Sequence, residues 1–235
     1  MTVRHDGHRV SWLGYATTRI ETPDGRVLYF DPGRYGVLDG YDRRDADVVC
    51  ITHDHHYDDA GIDRVANEDS TIVVYQGVTP SRIDRGVAPL DALPGTVREI
   101  GESESLAVAG FDVRSVPAYN RPDGPHVTED GSPHHPRGFG VGYHVDTGAR
   151  TVFWPGDTDV LDRHAAIATS LFLPPIGGSF TMDREAAAAL AGAIDPDLVV
   201  PVHYDTFDAL ATDATAFAGD VAGRGVPVAL ESPAQ

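Results

Sequence analysis

A chain of 235 residues with 36 acidic and 18 basic residues carries a formal charge of −18, which repels nucleic-acid phosphates and anionic membranes and argues against both as partners. Every basic residue is arginine; this acidic, lysine-free make-up fits either a halophilic protein or a genome rich in arginine, alanine, glycine and aspartate codons. Hydrophobic content of 41% suits one globular domain over residues 1–235, and no window approaches the ~18 uninterrupted apolar residues of a membrane span.

The opening MTVRHDGHRV lacks the apolar run of a secretory signal, and the lone Cys50 can form no disulfide within the chain, so a cytoplasmic location is expected. In chain order, RVLYF runs into DPG at 31–33, and DVVCI, with Cys50 as a core residue, runs into THDHH at 52–56. A helix is expected over roughly 58–67. TVFW then runs into PGDTD at 155–159, and LVVPV into HYDTF at 203–207. Short β-branched and aromatic runs bounded by Gly, Pro or Asp are buried strands. Two further helices are expected: 181–194, with Thr181 as N-cap, and 212–225, closed by glycine. Between them and the early strands lies YNRPDGPHVTEDGSPHHPRGFG, 119–140, which is nearly free of aliphatic residues. A loop of this length is usually functional or disordered, and it reads as an active-site lid.

The strands form two matching pairs. TPDGRVLYFDPG resembles DTGARTVFWPGDTD, and DADVVCITHDHH resembles DPDLVVPVHYDT. This weak internal duplication predicts an α/β protein of two similar halves whose strand ends converge on one site.

The chemistry concentrates at those ends. In ITHDHHYDDAG, His53 and His55 stand two apart, so alternation at the end of a strand lets both imidazoles reach one cation. Asp157 and His203 sit at equivalent strand ends and supply further donors.

Phrases along nearly the whole chain resemble the metallo-β-lactamase-fold superfamily of metal-dependent hydrolases, in particular its ascorbate-6-phosphate lactonase-like branch. VSWLGYATTRIET resembles an opening WLGHA strand pair, with Tyr15 where that branch has His. YFDPG, THDHH, SVPAYN, HHPRGFGVGYHV, TVFWPGDTD, GGSFTMDREAA and VVPVHYDTF follow in the matching order. The resemblance implies a four-layer αββα sandwich of two pseudo-duplicated halves. It also implies one or two divalent ions, zinc or else manganese or iron. His53, His55 and His135 would hold the first, with His134 as a substitute for His135; Asp157 would bridge to a second ion held by His203. Gly156 would let the chain turn so that Asp157 points inward.

The superfamily pattern HxHxDH, laid on without gaps, puts Tyr57 at its Asp and Asp58 at its last His. Asp58 is therefore expected to serve the second metal and to orient the nucleophile with Asp157, and the exchange of imidazole for carboxylate would harden that site towards manganese or iron. His56 is an alternative donor. Asp31 is expected behind the ligands, orienting a histidine; Tyr57, Tyr119, Asn120 and Tyr204 are expected to border the site and contact substrate. The implied activity is hydrolysis of an ester, lactone or phosphodiester of a small metabolite by metal-bound hydroxide. Two alternatives stay open: a degenerate ligand-binding member with one metal or none, and an oxidative enzyme built on a single iron. Self-association into a homo-oligomer also stays open.

Overall fold

The computed structural model describes residues 2–231. Two mixed sheets face each other. The first begins as an antiparallel meander of β1 (Val3–His5), β2 (His8–Gly14), β3 (Thr17–Glu21) and β4 (Val27–Phe30), and continues with parallel β5 (Val48–Ile51), β6 (Thr71–Tyr75) and β7 (Thr96–Ile100). The second repeats the plan. Antiparallel β8 (Ser105–Val108), β9 (Phe111–Ala118), β10 (Gly140–Asp146) and β11 (Thr151–Trp154) are followed by parallel β12 (Leu171–Phe172) and β13 (Leu198–Val199).

The duplication expected from sequence is present with one shift. Strands β4 and β11 correspond, each being the last of a meander and the first to take a parallel neighbour. Strand β13, however, lies one place further from β11 than β5 lies from β4. Likeness between the DVVCI and LVVPV segments reflects two buried parallel strands rather than equivalent positions.

Burial explains the sequence patterns. β2 alternates buried and half-buried residues because it has one core face, whereas β4 and β5 are buried along their length, as expected of strands covered on both sides. The sheets meet through Phe30 stacked on Tyr143 at 6.4 Å between ring centroids and through the Tyr143 hydroxyl, which donates to Ile51 O at 2.8 Å.

Helix α1 (Asp59–Val65) lies on the crossover from β5 to β6, α2 (Arg184–Ile194) on that from β12 to β13, and α3 (Ala214–Ala222) follows β13. Helix α2 starts later than expected. Asp183, not Thr181, is its N-cap, accepting from Ala186 N at 2.8 Å, while the Thr181 hydroxyl donates to Thr158 O at 2.9 Å. The result is an α/β sandwich of the expected kind. Among the described residues no helix is long and apolar enough to cross a membrane.

Candidate metal centre

The centre lies where β5, β11 and β13 end. Residues 53–57 form a tight turn in which both His56 N and Tyr57 N donate to His53 O, at 3.1 and 3.2 Å. A turn of this kind brings positions three apart onto one face, so His53 and His56 both point inward and are almost fully buried. The alternation expected for His53 and His55 belongs to a strand that has already ended at Ile51. His55 still reaches the group from the open side of the turn.

His135 arrives from the 119–140 segment. Asn120 positions it, accepting from His135 N at 2.8 Å and holding its own amide against Phe180 O at 3.0 Å. That segment is ordered by such contacts rather than loose: His126 is hydrogen-bonded to Asp159, and its Nε2 lies 2.8 Å from Gly178 O. Asp157 follows Gly156, whose φ of +69° and whose position 2.7 Å from Val141 O for any added Cβ leave room for glycine alone. His203 itself has φ +58°, and Tyr15 and Asp31 have φ +49° and +43°. Three strained residues around one point are a feature of functional sites.

The donor atoms crowd together. Asp157 Oδ2 is 3.6 Å from His53 Nε2 and 3.5 Å from both His56 Nε2 and His135 Nε2, while its Oδ1 is 3.3 Å from His203 Nε2. His56 Nε2 lies 3.3 Å from His203 Nε2, and His55 Nδ1 lies 3.1 Å from His135 Nε2. Two sets, His53–His55–His135 and His53–His56–Asp157, have donors within 4.8 Å of one another. His53 Nε2, Asp157 Oδ1 and His203 Nδ1 are buried and make no hydrogen bond. Orphaned lone pairs inside a protein are costly, and a cation held between His53 Nε2 and Asp157 Oδ1 removes that cost for both, His203 facing the same point through Nε2. The residues therefore fit a metal. A third set, His5, Asp6 and Asp197, lies towards the surface, where Arg150 engages Asp6.

Burial pushes His53 and His203 well below the usual imidazole range, and neighbouring histidines add to the shift. The same causes hold His55 at about 4 and His135 at about 3. Neutral imidazole is the form that ligates. Burial also opposes charge on His56, but Asp157 and Asp31 outweigh it and raise its pKa. Asp157 is pushed up to about 6, chiefly by burial.

Asp31 stands behind this group, as expected. It accepts from Thr52 N at 2.8 Å, Thr52 Oγ1 at 2.9 Å and Trp154 Nε1 at 2.8 Å, and lies 3.0 Å from His56 Nδ1.

Other expectations differ from the structure. Asp58 is not among the grouped donors. It is the N-cap of α1, accepting from Gly61 N at 3.2 Å, and its other oxygen accepts from Arg34 N at 2.5 Å. Asp58 stands outside the group because the turn brings His56, not Asp58, against Asp157. Tyr57 points away and donates to Ala88 O at 2.7 Å. Tyr204 stacks on Trp12 at 4.3 Å, with its hydroxyl donating to Glu231 O. Tyr119 lines a separate pocket beside Arg137. None of these three reaches the centre. Asn120 acts by positioning His135, and His134 packs on Phe180 at 5.1 Å. A pocket of about 290 Å³ opens over the donors and includes Tyr15, Tyr35, Phe180 and Phe207 in its wall. Tyr15 lies against His203 and His56 at 4.5 and 5.0 Å. Sequence reasoning assigned these aromatic walls no role, since scattered aromatics carry no spacing signal.

Two facing mixed sheets with a histidine-rich donor group at their strand ends define a metal-centre α/β sandwich. The sequence model of the β-lactamase superfamily domain matches residues 9–203, and the chain belongs to that family. A UPF0173 metal-dependent hydrolase of Methanopyrus kandleri is 29% identical over 94% of this chain and 94% of its own length. A second, from Roseiflexus sp., is 31% identical over 86% of this chain and 84% of its own. Among solved structures, Igni18, a metallo hydrolase from Ignicoccus hospitalis, superposes with a TM-score of 0.69 at 22% identity, covering 96% of this chain and 95% of that one.

Proposed function

We propose that this chain is a metal-dependent hydrolase cleaving an ester, lactone or phosphodiester of a small metabolite. The observation that carries the reading is the burial of four imidazoles around Asp157, with His53 Nε2 and Asp157 Oδ1 left without hydrogen bonds and Asp157 in the wall of an open pocket. A degenerate member would have no reason to keep such unpaired groups. His53, His55 and His135 would hold one ion, and Asp157, His56 and His203 a second. With His56 in place of Asp58, the set is dominated by nitrogen, which suits zinc better than the harder ions. A divalent ion there supplies Lewis acidity and lowers the pKa of water. The protein's own residues do the rest: Asp31 fixes His56, Asn120 fixes His135, and the Tyr15 hydroxyl faces the pocket as a neutral hydrogen-bond donor, burial keeping its pKa well above 10.

The test is metal content by elemental analysis, on untagged protein purified in high potassium chloride, beside hydrolysis of an aryl ester, an aryl-substituted lactone and bis(p-nitrophenyl) phosphate. Two metals per chain, falling to one or fewer in His203→Ala together with loss of turnover, is the expected result. A protein that takes up no zinc or manganese sinks the reading.

A further inference from the structure

The two positions that depart from the superfamily pattern, Tyr57 and Asp58, both hold arginines. Asp58 accepts from the backbone N–H of Arg34 at 2.5 Å and so fixes the turn that carries Arg34. Arg34 has φ +64°, a conformation that needs such an anchor. The carbonyl of Tyr57 accepts from Arg85 Nη2, and the Tyr57 hydroxyl ties down the same loop at Ala88. Arg85 also donates to Asp54 O at 3.3 Å.

Both arginines line a groove of about 480 Å³ in whose wall Asp54, His55, Arg82 and Phe139 also stand. Arg34 and His55 also line the pocket over the donor group, so the groove and the metal centre share a wall. Acidic residues outnumber basic ones two to one in this chain. Yet among the described residues neither Arg34 nor Arg85 has a carboxylate within 4.0 Å, whereas Arg82 pairs with Asp54 at 3.5 Å. The oxygens of Asp58 are taken by backbone N–H groups, and Asp84 on the same groove, exposed like Arg85, pairs with neither arginine. Arg34 Nε is buried and makes no hydrogen bond. Its guanidinium lies over the Tyr35 ring at 4.6 Å, which fixes its plane. Burial and the charge of Arg34 together lower the pKa of Arg85. Two cations near each other, each with one Nη2 engaged, on the Tyr35 hydroxyl for Arg34 and on carbonyls for Arg85, and with their Nη1 groups open among the described residues, are suited to a shared anion.

We propose that this groove is a subsite for an anionic group of the substrate, a phosphate or a carboxylate, bound by Arg34 and Arg85 while the scissile bond lies over the donor group. The proposal rests on the hydrolase reading for what is cleaved, but the anion subsite can be tested without turnover.

Titration calorimetry on zinc-loaded protein, at fixed salt, with inorganic phosphate and separately with glutarate, reads the subsite. Arg34→Gln and Arg85→Gln should each weaken the anion that binds by about tenfold without changing metal content, and Arg82→Gln should leave it unchanged. Arg85→Lys, which keeps the charge and loses the fork, should fall between, and it serves if the glutamine variants melt early. Phosphate responding and glutarate silent marks a phosphoryl subsite; the reverse marks a carboxylate one. Equal affinity in all variants places the anion on the metal alone and overturns the proposal, as does failure of both anions to bind. Arginine-dependent binding in a protein that hydrolyses nothing would overturn the proposed reaction and leave the subsite standing.

Discussion

Replacing Asp31 by Asn tests how the donor group is held. Asp31 is buried, and two acceptor oxygens are what its surroundings require: Thr52 N donates to one and Trp154 Nε1 to the other, at 2.8 Å each. An asparagine offers one acceptor oxygen and one NH₂. If the oxygen meets Thr52 N, the NH₂ confronts Trp154 Nε1–H; turned over, it confronts Thr52 N–H. In either orientation one buried N–H loses its partner, at about 1–3 kcal/mol.

The second effect is on His56, whose Nδ1 lies 3.0 Å from Asp31 Oδ2. Against a carboxylate, Nδ1 carries the proton and Nε2 keeps its lone pair towards Asp157 and His203. In the orientation that keeps the Thr52 N bond, an amide NH₂ faces Nδ1, which becomes the acceptor, and the proton moves to Nε2, where it blocks that donor; in the other orientation Nδ1 keeps its acceptor. Loss of such a buttress typically weakens a metal by about 10–100-fold. Competition with a chromophoric chelator measures the affinity, and urea denaturation of the metal-free protein measures the stability separately. Asp31→Ala offers Nδ1 no acceptor in any orientation, and an Asp31→Ala protein that binds zinc within about twofold of wild type would refute the assignment of His56 as a donor buttressed by Asp31, whatever its stability.

Asp58→Ala should lower stability by about 0.5–2 kcal/mol through loss of the α1 cap, yet leave metal content unchanged; a lost metal would return Asp58 to the ligand set. His126 gives a pH signature. Its hydrogen bond to Asp159 holds its pKa above the usual 6.5, so its contribution is complete below that value and disappears as pH rises through the raised one. Urea midpoints of wild type and His126→Gln should therefore differ more at pH ~5.5 than at pH ~9; an equal gap at both would mean that His126 acts only as a neutral spacer.

Much of the architecture was legible because it rests on short-range rules. RVLYF, DVVCI and TVFW are strands since β-branched and aromatic runs bounded by turn residues have few other uses, and the turn before Asp157 follows from Gly156. The resemblance to the metallo-β-lactamase-fold superfamily also led to His53, His55, His135, Asp157 and His203, which the structure brings together. What sequence spacing mistook was the local geometry after Ile51. A strand continued past that point would present positions two apart, whereas a turn closed on His53 O presents positions three apart. That difference of one hydrogen-bonding pattern brings His56, and not Asp58, among the grouped donors. Tyr204 was misread for a related reason. Adjacent to His203 in the chain, it is turned onto Trp12 because His203 occupies the left-handed region, so the neighbours point in different directions.

The motif's departure from the superfamily pattern thus has a physical account that does not require a damaged site. A metal needs lone pairs at a point in space, and any residue whose backbone can aim one there will serve. In the proposed ligand set His56 fills that role, and positions 57 and 58 are released from ligand duty. Asp58 keeps the carboxylate that caps α1 and fixes Arg34; Tyr57 supplies the buried hydroxyl and carbonyl that fix the loop of Arg85. Burial raises the Tyr57 pKa to about 12, so the group stays a neutral donor, as an anchor to Ala88 O requires. The same six residues, HDHHYD, then build the floor of the centre with their histidines and its cationic wall with the pair that follows. Restoring the superfamily pattern at 57 and 58 would remove the Tyr57 hydroxyl from Ala88 and the Asp58 carboxylate from Arg34 N, and should loosen the groove even though the carbonyl of residue 57 still faces Arg85.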